Sequence, residues 1–216
     1  MNILNNLTFT SQSKFAQIGQ DVFVLNVLHD VSAGVFVDIG CQKPFEINNT
    51  VILEEKGWKG ISVDLMDYSE DWKARQTDFI QADALTCDYT LLFATHRLPP
   101  IIDYLSVDLE RTGDRYAGLK RVMSVGHRFK VITVEHDLYI EGHNIAEQIP
   151  QRNLLSTFGY VLVASNVGDA MNNPMEDWWV HPHLVNAKNY APFLSHNKTY
   201  LEIFEQANIQ LEDFYR

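Results

Sequence analysis

The sequence predicts an α/β fold of Rossmann-like type. It has a mostly parallel central sheet, an antiparallel closing strand pair and helices on both faces. Three observations carry this expectation. Short apolar runs recur along the chain with helical segments between them, the signature of strand–helix alternation. Five of those runs end on an acid: Asp38, Asp64, Asp83, Asp108 and Glu135. No apolar stretch approaches the ~20 residues needed to cross a bilayer, so no membrane span is expected.

The elements follow in order. Val35–Ile39 is a first strand, bounded by Ser32-Ala33-Gly34 and Gly40. Pro44 suits the first turn of a following helix, where a missing N–H costs nothing. That helix carries Ile47, Val51 and Ile52 and stops at Gly57. Gly60–Asp64, Asp78–Asp83, Asp103–Asp108 and Phe129–Glu135 are the next four strands. Tyr160–Ala164 and Trp178–Val180 form the closing pair, and Leu201–Phe214 is a C-terminal amphipathic helix.

The chain has 216 residues, 46% of them hydrophobic, enough to bury one substantial core. A single domain, 1–216, is expected, with an N-terminal helical cap at 1–32, a core at 33–183 and a C-terminal helical segment at 184–216. Lys and Arg number 17 against 28 Asp and Glu, a net charge of −11, which disfavours nucleic acid as a partner. Cys41 and Cys87 offer neither a disulfide framework nor metal-ligand spacing. The opening MNILNNLTFTSQSK lacks the basic-then-apolar pattern of a signal peptide, so a cytoplasmic location is expected. Oligomeric state is not legible, and a homodimer is compatible with everything above.

In a parallel sheet the carboxyl ends of the strands share one edge, where ligands bind. The stretch "VFVDIGCQKPFEINNT" starts like a dinucleotide-binding turn but lacks the second and third glycines that let backbone approach a pyrophosphate. An NAD-dependent sugar oxidoreductase is therefore disfavoured. S-adenosylmethionine (SAM) carries no phosphate, and one close-approach glycine suffices for it. Its ribose diol calls for a carboxylate where Asp64 stands. Its adenine amino group calls for an acceptor where Asp83 stands beside Ala84. Its methionine carboxylate suits the helix start after the first strand, with Lys43 as a cation and Asn48 or Asn49 as donors.

These pieces resemble the FkbM-type branch of SAM-dependent methyltransferases. The matching segments are Ala16–Asp21, "FVDIGCQKPFEINNT", "EEKGWKGISVDL", "ADAL", "IDYLSVDLE", "FKVITVEHD" and "EDWWVHP", in family order over roughly residues 12 to 183. The resemblance implies the class I methyltransferase fold and methyl transfer from SAM to a hydroxyl oxygen, often of a sugar or polyketide. By position it places Gly40 and Cys41, at the end of the Asp38 strand, on the methionine part. It places Asp64 on the ribose and Asp83 and Ala84 on the adenine, with Gln17 and Gln20 closing over the cofactor. The chain departs from the commoner pattern at Gln42-Lys43-Pro44 and at Arg111, where a glycine is frequent.

Methyl transfer is an in-line displacement that needs alignment and a nucleophile relieved of its proton. His136, directly after the fifth strand, is a base candidate alongside Asp108 and Glu135. Alternatively, Asp108, Glu135 and Asp137 hold a hard divalent cation such as Mg²⁺. The sequence does not separate base from metal. Asp177 and Trp178 form an acid–indole patch suited to a saccharide or glycoconjugate acceptor. A catalytically silent SAM-fold or glycan-binding module is the alternative reading.

Overall fold

A computed structural model describes residues 15–215. Its strands are β1 (Val35–Ile39), β2 (Lys59–Asp64), β3 (Asp78–Gln81), β4 (Ile101–Val107), β5 (Arg128–Glu135), β6 (Val161–Gly168), β7 (Pro174–Val180) and β8 (Ser195–His196). They form one sheet in the order β3-β2-β1-β4-β5-β7-β6-β8. β1 to β5 run parallel, β7 lies antiparallel between β5 and β6, and β8 adds a short parallel edge to β6. Residues 1–14, part of the expected helical cap and the stretch read for a signal peptide, lie outside the described residues.

The helices are α1 (Gln20–Val27), α2 (Val51–Glu55), α3 (Ser69–Trp72), α4 (Tyr89–Thr95), α5 (Asp114–Met123), α6 (Ile149–Thr157), α7 (Ala187–Tyr190) and α8 (Tyr200–Gln206), with a π-helical turn at Asn144–Gln148 leading into α6. Among the described residues no helix is long and apolar enough to cross a membrane.

Alternation of side chains along buried strands builds a core on each face of the sheet. One face carries Phe36, Tyr104, Val131 and Trp178 against Phe23 and Phe204. The other carries Val37, Leu105, Ile132 and Trp179 against Phe93 and Leu119. Neighbouring Trp178 and Trp179 therefore serve opposite faces.

Two expected elements differ. Helix α2 begins at Val51, not at Pro44. Residues 41–50 instead form a turn in which Gln42 and Ile47 take left-handed backbone angles (φ 49 and 46), which a helix does not tolerate. The expected C-terminal helix divides: α8 ends at Gln206, Asn208 turns left-handed (φ 58), and a short 3₁₀ turn follows at Leu211–Asp213. The start of α8 is set by a capping box between Thr199 and Glu202.

Candidate active site

Strand order reverses at β1: β2 and β3 lie on one side of it and β4 on the other. A crevice opens at the carboxyl ends of such strands. Here it consists of two hollows. The larger, with an open volume of about 760 Å³, is lined by Asp64, Leu65, Met66, Tyr68, Asp83 and Ala84. The smaller, about 430 Å³, is lined by Gln17, Asp38, Cys41, Asn48 and Asn49. The two meet at Gly40, Gln42 and Asp108, which line both.

The junction depends on Gly40, which has φ 83. A Cβ there would lie 1.7 Å from the Asp108 carbonyl oxygen. The glycine therefore lets β1 and β4 approach each other, whereas the sequence suggested approach to a ligand. Asp64 accepts from the Gln42 N–H and the Met66 N–H, both at 2.8 Å, which fixes its carboxylate at the wall of the larger hollow. Asp83 accepts from the Leu85 N–H at 2.8 Å through Oδ1. Leu65 and Met66 are 54% and 60% exposed, an apolar pair presented beside two carboxylates. The sequence reading missed them, although two large apolar residues directly after a strand-end acid were the available signal.

In the smaller hollow Asp38 is buried, and burial raises its carboxyl to about 7 despite Ser106 and Arg75. Burial likewise pushes the Cys41 thiol well up, with Asp38 and Asp64 adding to the effect. Asn49 donates to Ser106 Oγ at 3.0 Å. Gln42 stands where a dinucleotide fingerprint has its second glycine, and its backbone is left-handed there all the same. Such a conformation costs a non-glycine residue ~1–2 kcal/mol.

Several expected site residues lie elsewhere. Lys43 is half exposed and pairs with Glu46 at 3.0 Å, so it supplies no cation to the cleft. Gln20 turns its amide to Glu176 at 3.1 Å and accepts from Ile18 N–H. His136 is fully buried: Leu138 N–H donates to its Nδ1 at 3.2 Å, and its Nε2 lies 3.4 Å from Asp177. It has no surface with which to take a substrate proton. Asp177 is buried and held by Arg152 at 2.7 and 2.9 Å. Burial alone would raise its carboxyl, but the Arg152 and His136 contacts bring it below the ordinary value. Trp178 stacks on Phe23 at 4.5 Å within the core, so neither residue faces an acceptor.

The expected metal triad is also filled from within. Arg115 lies 2.6 Å from Glu135 and 2.7 Å from Asp137, placing a guanidinium where the cation was expected. Among the described residues no cluster of His, Cys, Asp and Glu has the arrangement of a metal site. Burial, followed by the influence of Asp108, pushes the Glu135 carboxyl well above its usual range, with Arg115 pulling the other way. Of these two acids, Asp108 lines both hollows and Glu135 lines neither.

Solved structures of the same architecture place these features in context. An O-methyltransferase from Bacillus cereus, determined in complex with SAH (S-adenosylhomocysteine), matches with a TM-score of 0.54 at 11% identity over 80% of this chain and 84% of that one. Human Methyltransferase-like protein 13, also in complex with SAH, matches with a TM-score of 0.50 at 14% identity over 88% of each chain. The fold is that of the class I methyltransferases. No family model matches the sequence, and no curated protein does either. The methyltransferase fold carries Asp38, Asp64, Asp83 and Asp108 together at one crevice, as the strand-end acids predicted.

Proposed function

We propose that the protein is a SAM-dependent O-methyltransferase whose acceptor is a hydroxyl of a saccharide or glycoconjugate. The observation that carries the cofactor assignment is the two-part cleft. Asp64 stands in it as an acceptor for a ribose diol, and Asp83 with Ala84 faces an adenine. Asp38 and the carboxamides of Gln17, Asn48 and Asn49 line the smaller hollow, which suits a methionine head with its ammonium and carboxylate. Cofactor, when bound, supplies an electrophilic methyl group. Asp108 lines both hollows and is the group positioned to take the acceptor proton as the oxygen–methyl bond forms and the carbon–sulfur bond breaks. Glu135, whose own carboxyl is raised first by burial and then by Asp108, acts behind it as a positioning group. Glu110 and Asp114 join Asp108 on the rim of the larger hollow, with Arg111 between them, so acceptor hydroxyls meet carboxylates there.

A second reading is a SAM-fold binding module without turnover. The internal pairing of Glu135 and Asp137 with Arg115, and of His136 with Asp177, favours it. Calorimetric titration with SAH and with NAD tests the cofactor: SAH is expected to bind and NAD not, and failure to bind SAH would sink both readings. Transfer of labelled methyl from SAM to a panel of saccharides separates the two, with binding but no transfer leaving the module.

A further inference from the structure

The turn from Gly40 to Thr50 poses a mechanical problem. Beyond Gly40 it has no glycine, yet Gln42 and the β-branched Ile47 both sit in left-handed backbone. For a β-branched residue that is a conformational outlier, which persists only where the surroundings hold it. The holding groups come from the next strand–helix unit. Arg75, whose side chain is almost wholly enclosed, donates from Nη1 to the Pro44 carbonyl at 2.7 Å and to Asn48 Oδ1 at 3.2 Å. Its Nη2 donates to Thr50 Oγ1 at 3.2 Å. Its Nε lies 3.1 Å from Glu54 of α2, an ion pair without hydrogen-bond geometry. The guanidinium lies over the Trp72 ring at 4.9 Å, and the Trp72 indole N–H donates to the Gln42 carbonyl at 2.8 Å. Gln42 in turn donates its N–H to Asp64.

We infer that Arg75 and Trp72 together replace the glycines missing from the cofactor turn, acting as positioning residues that hold Gln42 and Ile47 left-handed and thereby fix Asp64. Neither reaches the ligand. A planar guanidinium with several fixed donors suits the task, because it can bind three oxygens of one loop at once. A lysine presents a single rotating ammonium and cannot span them.

The inference rests on the cleft being a SAM site, and the test separates the two. Hydrogen exchange of residues 41–50 and SAH titration are compared for wild type, Arg75→Met, Arg75→Lys and the double variant Arg75→Met with Gln42→Gly. Arg75→Met is expected to speed exchange across 41–50 selectively and to weaken SAH binding by about 10–100-fold, as misplacement of a binding group does. Arg75→Lys recovers part of this. Gln42→Gly, which needs no clamp to be left-handed, slows exchange back toward wild type in the double variant. Wild-type exchange and SAH affinity in folded Arg75→Met, or no slowing by Gln42→Gly, overturn the inference. Where Arg75→Met does not fold, Trp72→Phe retains the aromatic platform and removes only the bond to Gln42. Selective faster exchange supports the inference, and unchanged exchange overturns it. A wild-type protein that binds no SAH overturns the functional reading alone, since exchange still reports on the clamp.

Discussion

A single hydrogen atom at Gly40 separates the two strands that carry the cleft. Gly40 and Gly57 both have positive φ (83 and 87), but a Cβ at Gly57 meets nothing within 4 Å, whereas at Gly40 it meets the Asp108 carbonyl oxygen. Substituting alanine at Gly57 should therefore cost only the left-handed penalty, ~1–2 kcal/mol. At Gly40 overpacking adds ~1–3 kcal/mol to the same penalty, and β1 must part from β4. Urea denaturation of the two variants reads the difference, and equal losses would show that close approach at Gly40 is unimportant. Residue-scale chemistry was legible in the sequence where it depended on type and place. Asp64 and Asp83 are at the cleft because a strand-end acid in a parallel sheet has little choice. His136 was misread because sequence fixes neither rotamer nor depth, and here the ring turns inward to Asp177.

At the scale of elements, β5 and α5 are joined by charge buried between them. Arg115 of α5 holds Glu135 and Asp137, while Glu147 of the π-helical turn accepts from the N–H groups of Gly113 and Tyr116. Asp137 keeps a left-handed backbone (φ 46) within this network. Removing one member of a buried pair leaves the other uncompensated, so Arg115→Leu should cost about 3–5 kcal/mol in chemical denaturation. A loss under about 1 kcal/mol would mean that the carboxyls are already neutral or solvated. Added Mg²⁺ should not stabilise wild type, because the guanidinium holds the place. The strands themselves were legible, β1 to the residue, because burial on both faces leaves a continuous apolar run that little else produces. The turn before α2 was not. Proline at Pro44 signals a helix start locally, but Arg75, more than thirty positions away, captures its carbonyl and holds a different path. The two-residue strand β8 is too short to leave any periodic pattern.

Across the whole molecule, burial of acids sets a pH dependence with a definite sign. Burial raises Asp21 to about 6, Asp38 to about 7 and Glu176 to about 8, from ordinary values of 3.8, 3.8 and 4.5. From about pH 4 up to its own folded value, about 6, 7 or 8, each group is ionised in the unfolded chain but retains its proton when folded. The folded state then binds more protons, so stability falls as pH rises through this window. Asp177 and Glu54, both held low, act in the opposite sense, but their contribution is lost only in more acidic solution. The net charge of −11 adds self-repulsion in the same direction as the raised acids. Melting temperature should therefore be higher at pH 5.5 than at pH 8.0, each full unit of raised pKa inside the window being worth about 1.4 kcal/mol. Glu176 offers the sharpest check, because Gln20 and the Trp178 indole both donate to its carboxyl. Glu176→Gln carries no charge to desolvate, although its amide nitrogen cannot accept from one of these two donors. Its melting temperature should therefore decline less steeply than that of wild type between pH 5.5 and pH 8.0. A variant whose melting temperature falls with pH as steeply as wild type would remove Glu176 from the account and leave the decline to Asp21, Asp38 and surface charge.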